Sequence, residues 1–294
     1  MNIQHYLHKQ SKKIDKALDG YLPKKNDYPP TLHEAMRYSV FSGGKRIRPI
    51  LVLAACAAAG GDERKVIPAA CAIELIHSYS LIHDDMPCMD DDALRRGKPT
   101  VHVAYDEATA LLVGDALQSQ AFTILSEGAA IAPGRQMAMI RLLAQASGSS
   151  GMCGGQAIDL DSVGLSLSLQ QLEQMHQLKT GALLRAAVIL GALAGKDLEP
   201  ADMTALDAYA KAVGLAFQVV DDVLDATADS ATLGKTAGKD AAANKPTYVS
   251  ILGLEPSKAL AEQLRCDAHA ALAPFGDKAR RLRELADLVV QRKA

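Results

Sequence analysis

The stretch IHSYSLIHDDMPCMDDD, residues 76–92, closes an apolar run with helical spacing and then places five aspartates within nine positions. A second cluster, FQVVDDVLD at residues 217–225, ends another apolar run 137 positions further along. Carboxylates this dense repel one another, and without a counterion some of them would stay protonated. A hard divalent cation removes that cost. The two clusters therefore predict several Mg²⁺ ions holding a polyanion such as a diphosphate between them.

The first cluster needs a break in its helix before it can bind a metal. Asp84 and Asp90 are six positions apart, which is about 240° of rotation on an unbroken helix. Pro87 disfavours helix at Met86 and removes a backbone donor. We therefore expect the helix to end after Asp85 and Asp90 to return toward Asp84. The alternative is a solvated acidic helix end, which the helix macrodipole opposes. An EF-hand is excluded, because its spacing and closing glutamate are missing.

The second cluster is arranged by helical spacing alone. Gln218, Asp221, Asp222 and Asp225 are spaced i, i+3, i+4 and i+7, so a continuous helix places them on one face. The alternative is a surface acidic face, which the apolar residues around these carboxylates disfavour.

The composition excludes several classes of protein. Among 294 residues, 49% are hydrophobic and the net charge is −2 with no basic tract, so a nucleic-acid partner is not expected. Residues 1–19 are polar, and no other stretch is interpreted as apolar and long enough to span a membrane. The odd number of cysteines and the absence of a CxxC motif favour a reducing compartment, and we expect a cytoplasmic protein. The cysteines are Cys56, Cys71, Cys88, Cys153 and Cys266.

Helical periodicity recurs almost throughout and no convincing strand pattern appears, which predicts an all-α fold in a single domain spanning 1–294. The Gly/Ser stretch 148–155 is either an interdomain linker or a kink or loop within one domain. The apolar pattern resumes on both sides and favours the second. The polar segment 225–245 predicts a long loop of the kind that often acts as a lid. The expected helices are 4–20, 31–41, 49–59, 65–85, 102–128, 134–149, 169–194, 203–225, 246–253, 256–272 and 277–292.

Basic residues near helix ends offer candidate partners for phosphate groups. In SGGKRIRP, residues 42–49, glycines let a backbone approach a ligand and a helix N-terminus attracts anions, while Lys45 and Arg48 add full charges. A plain surface turn is the alternative. Arg95 and Arg96 follow the first cluster and either neutralise it or grip phosphate oxygens.

Other polar side chains interrupt apolar helices. Lys179 is followed by Thr180. Its side chain either lies along the apolar surface with its ammonium group in solvent or reaches a phosphate. His77 is either a satisfied core histidine or a functional residue, since it shares the helical stripe of Asp84. Weaker candidates of the same kind are Gln156 and Asp159.

Taken together, six sequence blocks resemble the trans-isoprenyl diphosphate synthases, over nearly the whole chain. The two extra residues in the first aspartate motif, Pro87 and Cys88, make the bacterial farnesyl diphosphate synthases the most similar subgroup. The blocks are GGKRIRP (43–49), IHSYSLIHDDMPCMDDDALRRGKPT (76–100), GGQAIDL (154–160), KTGAL (179–183), FQVVDDVLD (217–225) and LGKTAGKD (233–240).

The resemblance implies an isoprenoid synthase helical barrel around a central cavity, a homodimer and three Mg²⁺ ions. It implies that the allylic starter, dimethylallyl or geranyl diphosphate, condenses head to tail with isopentenyl diphosphate to give C15 farnesyl diphosphate. The implied metal ligands are Asp84, Asp90 and Asp221, with Asp85, Asp222 and Asp225 acting through the same ions. Arg95, Lys179 and Lys235 would bind the allylic diphosphate, and Lys45, Arg48, His77 and Arg96 the isopentenyl diphosphate. Thr180 and Gln218 would line the space where the carbocation forms. Together with Lys179 and Lys235 they are the implied catalytic residues.

The resemblance also directs attention to product length. Tyr79 lies five residues before Asp84, where bacterial farnesyl enzymes carry an aromatic residue that blocks the growing chain. Ser80 belongs to the same segment. An ordinary core tyrosine is compatible with the same position.

Three alternatives stay open. A geranylgeranyl or geranyl diphosphate synthase would share the mechanism and differ in product. A terpene cyclase shares the first motif but has an Asn/Ser/Glu second metal motif and lacks GGKRIRP. A non-catalytic regulatory prenyltransferase subunit would have lost aspartates, whereas both clusters are intact here.

Overall fold

The computed structural model describes residues 2–127, 131–227 and 246–292, and helices form most of them. The all-α prediction is confirmed. The helices are α1 Ile3–Tyr21, α2 Pro30–Val40, α3 Ile47–Ala58, α4 Ile67–Asp84, α5 Val101–Ala104, α6 Glu107–Ser126, α7 Pro133–Ser147, α8 Met152–Asp161, α9 Leu169–His176, α10 Ala182–Ala194, α11 Pro200–Thr227, α12 Tyr248–Leu252, α13 Leu254–Ala271 and α14 Arg280–Gln291. A π-helical segment, Gln177–Gly181, joins α9 to α10, and a 3₁₀ segment, Ala273–Ala279, precedes α14.

A small antiparallel hairpin is the part of the described structure that the helical pattern did not predict. Strands β1, Leu94–Arg95, and β2, Lys98–Pro99, pair with Leu94 opposite Pro99. Arg96 and Gly97 form the turn with φ of 54° and 74°, as a tight hairpin turn with two left-handed residues requires. Strands of two residues are too short to show an alternating pattern.

The chain forms two compact units, one of residues 1–50 and 64–140 and the other of 51–63 and 141–294. The single domain over 1–294 stays a prediction. In the first unit α4 packs along α6 and α1. Most α4 side chains are fully buried, because this helix is apolar on nearly every face. The first aspartate cluster therefore begins at the end of a helix fixed in the core.

In the second unit α11 packs against α13, α10 and the π-helical segment. Tyr209 on α11 is fully buried, and its hydroxyl donates a hydrogen bond to the carbonyl of Leu282 on α14 at 2.7 Å. This bond satisfies the tyrosine's polar end inside the core. Helix α11 is therefore held along its length before it presents the second aspartate cluster.

The bounds of several predicted helices differ from those in the structure. The expected helix 102–128 is two helices, because the side chain of Asp106 accepts from the backbone of Thr109 and starts α6 afresh. Helix α8 begins within the stretch 148–155 that was interpreted as a kink or loop. The predicted 169–194 contains the π-helical segment, and the predicted 277–292 becomes regular α-helix at Arg280.

The helical run Leu169–Ala194 has the length and composition of a membrane span, with a mean hydropathy of 1.3. The prediction that no stretch is long and apolar enough is wrong by these two criteria. More than half of the apolar window, 56%, is buried inside the protein. The core helix of a globular protein passes the same test, so this run is weak evidence for a membrane.

Candidate active site

The first aspartate cluster folds back on itself as Pro87 predicts. Helix α4 ends at Asp84 with Asp85 as its C-cap. The backbone N–H of Asp90 donates to the carbonyl of Asp84 at 2.9 Å, and that of Asp92 to Asp85 at 3.2 Å. The return of Asp90 toward Asp84 is therefore confirmed at the level of the backbone.

Within this cluster Asp85 turns into the protein and pairs with Arg95. Its side chain is buried, and the Nε of Arg95 donates to both carboxylate oxygens at 2.8 and 2.7 Å. Burial raises the pKa of Asp85, and the hydrogen bonds from Arg95 act in the opposite direction. In this structure Arg95 neutralises an aspartate, which is the first of its two expected roles. A metal-binding role for Asp85 stays a prediction.

Arg96 attaches the hairpin to the loop that precedes α3. Its Nη1 donates to the carbonyl of Gly43. Gly44 has a φ of +128°, and a Cβ added there would lie 2.6 Å from Nη1 of Arg96. The backbone thus approaches the guanidinium closely because Gly44 lacks a side chain. Lys45, in the same loop, is exposed.

His77 and the arginines that act on it, Arg48 and Arg96, are called the basic corner of the first unit. Burial lowers the pKa of His77 well below the usual value, and the positive charges of Arg48, Arg96 and Arg95 lower it further. The imidazole is therefore neutral at physiological pH and sits among several cations. A cluster of basic groups attracts a polyanion, and the diphosphate-binding role of Arg48, His77 and Arg96 stays a prediction.

Arg46 is a residue of this region that the sequence analysis passed over. It is buried, has a φ of 52°, and its guanidinium donates to Glu74, Asp15 and the carbonyl of Val40 at 2.7–2.9 Å. These bonds fix the loop that carries Lys45. Glu74, a carboxylate inside the apolar sequence of α4, was the available signal, since a buried charge requires a partner.

The carboxylates of the second cluster have different surroundings. Asp221, whose side chain is 41% exposed, accepts from Nη2 of Arg292 at 2.6 Å. The guanidinium of Arg292 lies over the Phe217 ring, 3.9 Å from its centroid. Asp225 is buried, and its Oδ1 accepts no hydrogen bond from the described residues.

Asp222 belongs to a chain of hydrogen bonds inside the second unit. The hydroxyl of Thr180 donates to Oε1 of Gln218 at 3.2 Å, and Nε2 of Gln218 donates to Oδ1 of Asp222 at 3.0 Å. The backbone N–H of Tyr248 donates to Oδ2 of Asp222 at 2.8 Å. The structure therefore links Thr180 through Gln218 to Asp222, and the sequence analysis had already placed Gln218 and Asp222 on one helix face.

Lys179 is held by a neighbouring helix. Its Nζ donates to Asp159 at 2.7 Å, and Asp159 is buried. Helix α8 reaches this position because Gly155 has no side chain: an added Cβ would lie 2.1 Å from the backbone nitrogen of Lys179. A π-helical segment inside α-helix is frequent at functional sites, and this one carries both Lys179 and Thr180. Lys235 lies outside the described residues.

Tyr79 and Ser80 lie on the last turns of α4. Tyr79 is buried and its ring packs edge-on against His83, with 5.7 Å between ring centroids. The hydroxyl of Ser80 donates to the carbonyl of His77 at 2.9 Å. A buried aromatic ring therefore lies one to two helical turns before Asp84.

The described residues fit a magnesium site that is completed by a ligand. They contain no group of three or more His, Cys, Asp or Glu side chains that would hold a metal ion by themselves. Magnesium is usually held by one or two carboxylates together with waters and substrate phosphates. The buried Oδ1 of Asp225 without a hydrogen-bond partner in the described part of the chain and the oxygen-only donor set both suit such a cation.

Comparison with known proteins identifies the family. A sequence profile of the polyprenyl synthetase family matches residues 29–273. The chain belongs to this family and is a trans-isoprenyl diphosphate synthase, a prenyltransferase with the all-α fold of isoprenoid synthases. The family is magnesium-dependent.

The similar relatives differ in their products. A probable farnesyl diphosphate synthase of Sinorhizobium fredii is 49% identical over 95% of this chain and 85% of its own length. The large subunit 1 of the heterodimeric geranylgeranyl pyrophosphate synthase of Arabidopsis thaliana is 46% identical over 99% of this chain and 80% of its own.

Two solved structures show the same fold. An FPP/GFPP synthase from Zymomonas mobilis is 43% identical with a TM-score of 0.89, covering 98% of this chain and 99% of its own. A geranyltransferase from Helicobacter pylori, in complex with magnesium and isoprenyl diphosphate, is 34% identical with a TM-score of 0.86, covering 98% of this chain and 96% of its own.

Proposed function

We propose that this enzyme makes C15 farnesyl diphosphate from isopentenyl diphosphate and an allylic starter, dimethylallyl or geranyl diphosphate. The observation that carries the product length is Tyr79, a buried aromatic side chain five residues before Asp84 on α4. A growing chain that starts at the aspartates and passes along α4 would meet this ring. The similarity to farnesyl enzymes supports the same product.

The basic corner of the first unit is proposed to bind isopentenyl diphosphate. Arg48 and Arg96 supply charge, Lys45 adds an exposed ammonium, and neutral His77 supplies a hydrogen bond without adding a proton-dependent charge. Arg46 binds no substrate in this proposal and holds the loop in place.

The allylic diphosphate is proposed to be bound by Arg95, Lys179 and Lys235. Arg95 and Lys179 are each paired with an aspartate in this structure, so both are already held in one orientation. When the allylic C–O bond breaks, the diphosphate leaves with the bonding electrons, and cationic groups stabilise its charge. The double bond of isopentenyl diphosphate then attacks the allylic cation, and a proton leaves to the departed diphosphate. No protein nucleophile is required.

Three magnesium ions are the proposed cofactor of both aspartate clusters. The proposed ligands are Asp84, Asp90 and Asp221, and Asp85 and Asp225 would act on the same ions directly or through water. Bound magnesium supplies Lewis acidity toward the leaving diphosphate. Asp221 must then exchange its contact with Arg292 for a metal contact.

Substitution of Tyr79 tests the product length. We expect Tyr79→Ala to shift the product from C15 toward C20, because the ring that blocks elongation is removed. Tyr79→Phe is the matched control: it keeps the ring and should still give C15. The measurement is chromatographic sizing of products from labelled isopentenyl diphosphate. An unchanged C15 product from Tyr79→Ala would exclude Tyr79 as the block, and a C20 product from the unmodified enzyme would favour the geranylgeranyl alternative.

We also propose that the enzyme is a cytoplasmic homodimer. Leu111 and Leu112 on α6 are 48% and 56% exposed, and Met137 on α7 is 64% exposed. Exposed apolar surface is often covered by a partner, and a second copy of the chain is the partner that the family resemblance implies. Sedimentation velocity on the enzyme tests this: a monomer at micromolar concentration would contradict it.

A further inference from the structure

Asp222 differs from its neighbours in the second cluster. Its side chain is buried with 4% exposure, and each of its two oxygens accepts a hydrogen bond from the protein. Asp221, one position earlier, is 41% exposed. Asp225 has an oxygen that accepts no hydrogen bond in the described part of the chain. Helical spacing places the three carboxylates on one face of α11, but their exposure and their hydrogen-bond partners differ.

The partners of Asp222 fix the orientation of a second side chain. An ionised carboxylate only accepts hydrogen bonds, so the Gln218 amide must point its NH₂ group toward Asp222. Its carbonyl oxygen then faces Thr180 and accepts the Thr180 hydroxyl proton. A hydroxyl that donates its only proton in this direction keeps its oxygen lone pairs for other contacts. Lone pairs directed at a developing positive charge stabilise it.

The same carboxylate anchors the chain after the segment that contains Lys235. Tyr248 is the first residue of α12, and its N–H bonds to Asp222. Its ring stacks on His176, with 5.6 Å between ring centroids, one turn before Thr180. One buried carboxylate therefore joins α11, the π-helical segment and α12.

We propose that Asp222 is a positioning residue for the condensation, rather than a metal ligand. It fixes the Gln218 amide and, through it, directs the Thr180 hydroxyl so that its oxygen faces the allylic cation. The proposal rests on the proposed function, because the reacting carbon that Thr180 serves belongs to that reaction. It assigns magnesium binding on this helix to Asp221 and Asp225.

The test is a swap of hydrogen-bonding groups between positions 218 and 222. In Asp222→Asn, the introduced oxygen can accept from the Tyr248 N–H only if the introduced NH₂ group faces Gln218, so the Gln218 amide turns round to accept it. The NH₂ group of Gln218 then faces Thr180, and the Thr180 hydroxyl can no longer donate to Gln218. Gln218→Glu combined with Asp222→Asn restores the donation from Thr180 and keeps the other two bonds. The introduced asparagine would donate to the introduced glutamate and accept from the Tyr248 N–H, and the glutamate would also accept from Thr180. A metal ligand lost at position 222 is not restored by this swap.

The measurements are kcat with geranyl and isopentenyl diphosphates, the half-saturating Mg²⁺ concentration and the melting temperature without ligands. We expect Asp222→Asn to lower kcat about a hundredfold, because the Thr180 hydroxyl loses its orientation. Its half-saturating Mg²⁺ concentration should stay within about twofold of the unmodified enzyme. The double variant should regain at least about tenfold in kcat. The melting temperatures of both variants should stay close to that of the unmodified enzyme, because the Gln218 amide can keep its bonds by turning round. The matched control Asp221→Asn should instead raise the half-saturating Mg²⁺ concentration about tenfold or more.

Two results would overturn the proposal: a double variant no more active than Asp222→Asn, or an Mg²⁺ requirement of Asp222→Asn that rises as much as that of Asp221→Asn. Failure of the proposed function is distinguishable, because the unmodified enzyme would then form no C15 product. If the enzyme forms another condensation product, the same comparison of kcat for that product still decides the role of Asp222.

Discussion

At the scale of single residues, a buried ion pair holds the loop that carries Lys45, a residue proposed to bind substrate. Arg46 has left-handed backbone geometry and three hydrogen-bond acceptors, two of them carboxylates. Left-handed φ in a bulky residue costs energy and persists only where the surroundings compensate for it. The ion pair with Glu74 and the bond to the carbonyl of Val40 supply that compensation. The loop 42–46 that precedes α3 is therefore held in place by the hydrogen bonds of Arg46.

Removing one partner of this buried pair should be strongly destabilising. Arg46→Met leaves Glu74 charged and buried, and we expect a loss of about 3–5 kcal/mol in the free energy of unfolding. The double variant Arg46→Met/Glu74→Leu should lose less, since no isolated charge remains. Urea denaturation measures both. Arg280→Met is the control, because its pair with Glu284 is exposed and should contribute less than about 1 kcal/mol. Equal losses in the Arg46 and Arg280 variants would contradict the argument.

His176 should make stability depend on acid. Burial lowers its pKa to about 4, and neither ring nitrogen has a hydrogen-bond partner in the described chain. The folded state resists protonation while the unfolded state accepts it near pH 6.5. The stabilising contribution is thus complete above pH 6.5 and is lost as the pH falls toward 4, by about 3 kcal/mol.

Replacement by phenylalanine isolates this effect. His176→Phe keeps a ring against Tyr248 and removes the titrating group, so we expect similar stability at pH 7 and a shallower decline in acid. The measurement is the free energy of unfolding of both proteins in urea between pH 7 and 4. Parallel curves would show that His176 does not titrate as its burial implies.

At the scale of elements, the position of Lys179 depends on the close contact between α8 and the π-helical segment. Gly155→Ala would place a Cβ 2.1 Å from the Lys179 nitrogen and 2.5 Å from its Cα. Backbone atoms cannot rotate away, so the two segments must separate and the Lys179–Asp159 contact must lengthen. We expect a loss of about 1–3 kcal/mol in stability and a lower kcat.

The control for this substitution is Gly134→Ala on α7. No atom lies within 4 Å of a Cβ added there, and alanine is the better helix former. Its stability should be unchanged or slightly higher. Thermal unfolding and turnover of the two variants give the comparison, and a Gly155→Ala enzyme as stable and active as Gly134→Ala would contradict the close-contact argument.

The elements also show what the sequence was able to predict. Pro87 breaks α4 and returns Asp90 toward Asp84, because proline chemistry is local and independent of distant partners. The inward turn of Asp222 was not predictable from its spacing, since Tyr248 and Thr180 set it from distant positions in the chain. The same reason hid Arg46, whose partner Glu74 lies 28 positions away. The π-helical segment was not predictable either, because the polar residues Lys179 and Thr180 mark an interruption of the apolar pattern without specifying a π-helical turn.

At the scale of the whole molecule, both compact units contribute to one proposed reaction. The first holds the basic corner, the first aspartate cluster and Tyr79, and the second holds the second cluster and the Thr180–Gln218–Asp222 chain. Catalysis then needs intact groups from both. The family membership supplies the reaction class. Similarity to both farnesyl and geranylgeranyl enzymes leaves the product length open, and the proposed C15 product rests on Tyr79.

The most direct test is incubation of the unmodified enzyme with Mg²⁺, labelled isopentenyl diphosphate and either dimethylallyl or geranyl diphosphate, followed by sizing of the products over time. We predict condensation with both starters, with products that accumulate at C15 and do not lengthen further when isopentenyl diphosphate is in excess. Accumulation of C20 would contradict the assignment of Tyr79 as the block, and no condensation with either starter would contradict the account as a whole.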